Sequence, residues 1–183
     1  MSAYISLALI VFLINCAPAF VPPTWTVLVS FVLIYHLPIP FVILIGVACA
    51  TLGRLVLYLL AFFFGNAFLT KKTKGNFHAL GTYFNMKKHI SILLFLTYAF
   101  IPLPSNQLFI TAGLAKVNII MLAIAFAFGR LISYSWTIYS SQLILEHIPF
   151  HVNKTQVITF QILGIGVIFI ISQINWKKVL HLK

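Results

Sequence analysis

What most limits this chain is unbroken apolar length. Residues 39–64 carry no charge except Arg54, residues 118–145 none except Arg130, and residues 155–175 none at all. At about 1.5 Å per residue, each run covers the roughly 30 Å hydrocarbon core of a bilayer. The runs are continuous and do not alternate in ten-residue segments, which argues against a β-barrel. Only 7% of the chain is charged and 62% is hydrophobic, where a soluble domain carries about 25% charged residues. The expected fold is a single all-α integral membrane domain over residues 1–183.

Two further apolar regions are broken by proline. Residues 3–36 contain Asn15, Pro18, Pro22 and Pro23, and residues 90–115 contain Pro102, Pro104, Ser105 and Asn106. Proline lacks the backbone donor and blocks the preceding turn, so a helix ends there. The arms left on either side are too short to span, and the pattern predicts two re-entrant hairpins. Such breaks are tolerated at membrane depth where they are buried in protein or line a cavity.

Charge bias tests this arrangement. With both regions re-entrant, the basic loop 66–89 (Lys71, Lys72, Lys74, Lys87, Lys88) shares a side with Lys116 and with Lys177, Lys178 and Lys183. Only Lys154 lies opposite, so nine of ten lysines are together. Lysine-rich loops stay cytoplasmic, which predicts an inner (cytoplasmic) membrane protein with its C-terminus in the cytoplasm. The loop's Phe77, Leu80, Tyr83 and Phe84 suit an interfacial amphipathic segment. The N-terminal stretch has no early Lys or Arg, and its Leu13-Ile14-Asn15-Cys16 is a poor lipoprotein cleavage site, so no cleavage is expected.

An internal repeat points the same way. Gly53-Arg54-Leu55-Val56-Leu57-Tyr58 matches Gly129-Arg130-Leu131-Ile132-Ser133-Tyr134. Each copy follows a proline break, Phe20-Val21-Pro22 in one case and Phe100-Ile101-Pro102 in the other. The predicted plan is two inverted repeats, each a hairpin followed by a transmembrane helix, plus a C-terminal transmembrane helix. That plan is typical of transporters.

Water-phase catalysis has little to work with. The chain has no Asp, and Glu146 is its sole carboxylate, so paired acid–base chemistry and a carboxylate metal site are excluded. Cys16 and Cys49 have no partner spacing. Neither an enzyme, a cofactor nor a metal is expected. The net charge of +11 is assigned to topology and lipid contact, not to nucleic acid. His36, His78, His89, His147, His151 and His181 read as solvated or helix-end residues. Trp25, Trp136 and Trp176 read as packing or interfacial anchors.

Arg54 and Arg130 are the strongest site candidates. An Arg at the centre of a spanning helix costs about 2.5–3.5 kcal/mol on insertion scales, and neither has a carboxylate to pair with. They either satisfy carbonyls freed at the hairpin breaks or face a wet cavity and attract an anion such as a lipid phosphate, which a planar guanidinium can bind bidentately. Asn15, Thr24, Ser105, Asn106 and Gln107 place uncharged polar groups beside the prolines. Helix N-termini after Pro23 and Pro104 add partial positive charge. A structural pivot without ligand is the plainer reading of these tips.

With these residues in hand, the chain resembles the DedA/VTT (SNARE-associated) family of membrane proteins. The resemblance lies in Ala17-Pro18-Ala19-Phe20-Val21-Pro22-Pro23 and the series Gly46, Gly53, Tyr58 and Gly65. It continues in Phe100-Ile101-Pro102-Leu103-Pro104, Ala112-Gly113-Leu114-Ala115 and Gly129-Arg130, covering roughly residues 15–140. It implies opposed re-entrant hairpins and a role in lipid scrambling, lipid-carrier recycling or ion-coupled transport. The family's acidic residue after the first proline motif is Thr24 or Trp25 here, and its flanking arginines at the second are Ala99 and Ser105. Those departures favour passive scrambling over coupled transport.

The expected function is therefore translocation of lipids with anionic headgroups, with membrane lipids as the partner and homo-oligomerisation left open. Export of a small solute or drug through the same path is the first alternative. A non-transporting membrane assembly factor is the second.

Overall fold

The computed structural model describes residues 2–18, 22–65, 69, 71–100, 105–147 and 159. Among them are seven α-helices and no strand: α1 (Ser2–Cys16), α2 (Thr24–Tyr35), α3 (Ile39–Phe64), α4 (Lys71–Met86), α5 (Lys88–Phe100), α6 (Asn106–Leu114) and α7 (Ile119–His147). Two are long and apolar enough to cross a bilayer, Ile39–Phe64 and Ile119–Leu143. The expected span 155–175 lies outside the described residues apart from residue 159, and so do Pro102 and Pro104.

Local chemistry explains the boundaries. The chain leaves the helical conformation after Cys16, passes Pro18, Pro22 and Pro23, and restarts at Thr24. Helix α2 ends on His36 in the left-handed conformation (φ 49°). Pro38 precedes α3 and Pro40 sits in its first turn, where a missing N–H costs nothing because that donor has no intrahelical partner. Asn118 starts α7: its Oδ1 accepts from the amides of Ile120 and Met121, both at 3.0 Å. That is an N-cap, satisfying donors the helix cannot satisfy itself.

The basic segment differs from its sequence reading. Where a loop over 66–89 is expected, residues 71–86 form the helix α4. Phe77 and Phe84 pack partly buried against the core, and Gly81 between them is buried against the carbonyl of Ala115. The spacing 77, 81, 84 keeps all three on one helical face. Lys74, Gly75 and Asn76 stay exposed.

Packing couples the two halves. Helix α1 lies along α3 and α5 along α7, while α6 packs on α3, α2 on both α3 and α7, and α3 against α7. The close approach of α1 to α3 depends on Gly53, where a Cβ would sit 2.7 Å from Asn15 Cβ and 2.8 Å from the Phe12 carbonyl oxygen. Outward faces stay apolar, with Phe41, Leu44, Phe63 and Phe64 of α3 and Phe128 and Trp136 of α7 exposed. Hydroxyls within the helices are satisfied locally. Ser30, Thr51, Thr137 and Ser141 each donate at 2.7 Å to the carbonyl four residues earlier, so they leave no bare donor on an apolar helix.

Candidate functional site at two buried arginines

Arg54 lies ten residues before the end of α3, and Arg130 eleven after the start of α7. These helix ends adjoin, since the Tyr58 hydroxyl donates to the Val117 carbonyl at 2.6 Å. Arg54, one turn before Tyr58, interacts with Arg130 and Tyr134 further along α7, so the two helices run in opposite directions. Both are buried, at 5% and 9% exposure, and the two guanidiniums are within range to repel each other.

Each arginine reaches the broken region of its own half of the chain. Arg54 Nη1 donates to the Asn15 carbonyl at 3.0 Å. That carbonyl belongs to the last turn of α1, where carbonyls lack intrahelical donors and a positive charge is favourable. Arg130 Nη2 donates to Ser105 Oγ at 3.3 Å, a longer bond at the start of α6. Its guanidinium also stacks over Phe126 (5.1 Å) and Tyr134 (5.7 Å). Both Nε atoms are buried without a hydrogen-bond partner. A buried N–H left bare costs about 1–3 kcal/mol, and more when charged, so the site holds unused donor capacity beside uncompensated charge.

Side chains from both breaks complete the cluster. Asn15, itself 1% exposed, donates through Nδ2 to the Val11 carbonyl (2.8 Å) and to Thr24 Oγ1 (3.0 Å). Asn106 Nδ2 donates to the Ala17 carbonyl at 3.1 Å, which ties the start of α6 directly to the first break. Tyr134, 2% exposed, lies close enough to Thr24 and to both arginines to interact with each. Neither α2 nor α6 begins with a side-chain cap, since Pro23 and Ser105 make no capping hydrogen bond.

Of the polar residues singled out in the sequence, Asn15, Thr24, Arg54, Ser105, Asn106 and Arg130 come together here. Gln107 does not. It is exposed on α6, because a helix turns about 100° per residue and Asn106 already takes the inward face. Pro18 and Pro23 are exposed while Pro22 is half-buried. A wet cavity at the arginines is one of the two readings their sequence positions allow; the cavities among the described residues lie elsewhere. They measure about 290–460 Å³ and sit around Lys116, Asn118 and Ile120. Tyr134 enters the cluster as a member the sequence marked only as part of a repeat. Among the described residues no group of His, Cys or carboxylate side chains could hold a metal ion.

No family model, curated protein or solved structure matches the chain.

Proposed function

We propose that the protein is an integral membrane protein that translocates lipids with anionic headgroups, passing the headgroup along the Arg54–Arg130 pair. The carrying observation is that pair: two buried guanidiniums from antiparallel helices, without a carboxylate beside them, each with an unsatisfied Nε. A phosphate oxygen arriving there would gain charge-assisted hydrogen bonds that no side chain of the site supplies. The apolar exteriors of α3 and α7 suit a lipid surround. The matching packing of α1 on α3 and of α5 on α7, one pair in each half of the chain, suits two inverted repeats with re-entrant arms, the plan of the DedA/VTT resemblance.

One observation favours a second reading. Arg54 is already engaged at the end of α1 by the Asn15 carbonyl, as a purely architectural arginine would be. In that reading the protein is a membrane assembly factor and moves nothing.

Flipping of a fluorescent phospholipid in liposomes separates the two. The full chain is compared with the Arg54→Ala/Arg130→Ala variant, and near-native helicity is required of both. Fast flipping that is lost in the variant supports translocation. Absence of flipping by the folded wild-type protein rejects it, and transport of a water-soluble anion in the same vesicles would then favour a solute exporter.

A further inference from the structure

The turn that joins α6 to α7 is held in a conformation its sequence does not favour. Lys116 has φ 56°, in the left-handed region where a side chain costs roughly 1–2 kcal/mol relative to glycine. Its backbone closes the end of α6 by two bonds, Lys116 N–H to the Gly113 carbonyl (3.1 Å) and Val117 N–H to the Ala112 carbonyl (3.0 Å). In this pattern the left-handed position is usually glycine. Asn85 of α4 braces the turn from both sides, donating to the Lys116 carbonyl (3.1 Å) and accepting from the Asn118 amide (2.8 Å). The fold thus holds a lysine where glycine would cost less, and a strained residue at a braced turn points to a use for its side chain.

That side chain borders a cavity of about 460 Å³ lined by Lys74, Gly75, His78, Leu114, Ala115 and Lys116. Lys74 and His78 are four residues apart on α4, so they share a face. Gly75 has open space around it and leaves the entrance clear between them. The Lys116 ammonium lies 5.6 Å from the Phe62 ring centroid, a contact that leaves its charge uncompensated. Lys116, Lys74 and His78 thus border one opening, and none of the residues lining it is acidic.

We infer that this cavity binds a phosphate-bearing anion, with Lys116 and Lys74 as its direct ligands and His78 as a third donor. The site is separate from the arginine pair and does not depend on its role. An ammonium binds phosphate as a point charge, and the cavity falls within the usual size range for small-ligand sites. The ligand is either the headgroup of a membrane lipid or a free phosphate.

The test uses the full chain in zwitterionic detergent, titrated with inorganic phosphate and, separately, with dioctanoyl phosphatidic acid. Lys116→Gly is expected to weaken binding about tenfold, the worth of one charge-assisted hydrogen bond, while its thermal midpoint stays equal or rises because the left-handed strain is relieved. The Lys74→Gln/His78→Gln variant leaves the turn alone and loses binding as well. Loss with both probes identifies phosphate itself as sufficient, whereas binding of the lipid alone assigns the site to a lipid headgroup. Absence of binding by both probes overturns the inference. So does an equal loss in Lys87→Gln, which alters a lysine outside the cavity.

Discussion

The carboxamide of Asn106 donates to the carbonyl of Ala17 at 3.1 Å, across 89 residues of sequence. This bond joins the start of α6 to the first proline break, so the two interrupted regions are held against each other. An Asn106→Ala chain leaves the Ala17 carbonyl without this donor in a partly buried setting. It is expected to lose about 1 kcal/mol of stability, measured as a lower thermal midpoint in detergent. An unchanged midpoint would mean that the two breaks are positioned by packing alone.

The arginines should respond unequally to removal. Arg54 closes the last turn of α1, whereas Arg130 makes one 3.3 Å bond to a hydroxyl that can rotate toward another acceptor. Arg54→Met is therefore expected to destabilise the fold by about 1–3 kcal/mol. Arg130→Met should be close to neutral, since replacing a buried charge by an apolar side chain of similar volume often is. Chemical denaturation of the two variants side by side checks the order, and the reverse order would contradict the assigned roles.

Two glycines of α4 make a contrasting pair. A Cβ on Gly75 meets nothing within 4 Å, so Gly75→Ala should raise stability by about 0.5–1 kcal/mol through helix propensity. A Cβ on Gly81 would overlap the Ala115 carbonyl, so Gly81→Ala should push α4 off the turn and lower the midpoint. Hydrogen exchange at residues 115–118 would rise in the second variant and not in the first.

Tyr58 and Tyr134 occupy matching places in the repeated hexapeptide but do different work. The Tyr58 hydroxyl donates at 2.6 Å to the Val117 carbonyl in a buried position. Tyr58→Phe is expected to cost about 1–2 kcal/mol, read in the same denaturation measurement. A cost near zero would indicate that water or another donor replaces the hydroxyl.

Much of the architecture was legible from residue types alone. Prolines and apolar length mark the ends of α1, α2 and α3, and a charge-free environment marks Arg54 and Arg130 as unusual. The N-cap of α7 is readable too, as Asn118 directly before an apolar run. What the sequence hides is direction and long-range partnership. Nothing local says that Asn106 turns inward and Gln107 outward, or that Asn106 meets Ala17. Helix α4 was legible only as an amphipathic stretch around Phe77, Leu80, Tyr83 and Phe84; that Phe77, Gly81 and Phe84 meet the core depends on a partner surface that residue types do not show. Lys116 was read only as one more positive charge, because a left-handed turn without glycine leaves no mark in residue type.

The most direct test of the central claim compares headgroups in one liposome preparation. Flipping of labelled phosphatidylglycerol and labelled phosphatidylcholine is measured for the wild-type chain and for Arg130→Met, the arginine variant expected to keep its fold. The account predicts faster movement of the anionic lipid by the wild-type protein, with the preference falling toward unity in the variant. An anionic preference of equal size in both proteins would contradict it, since the buried guanidinium would then have no part in choosing what crosses.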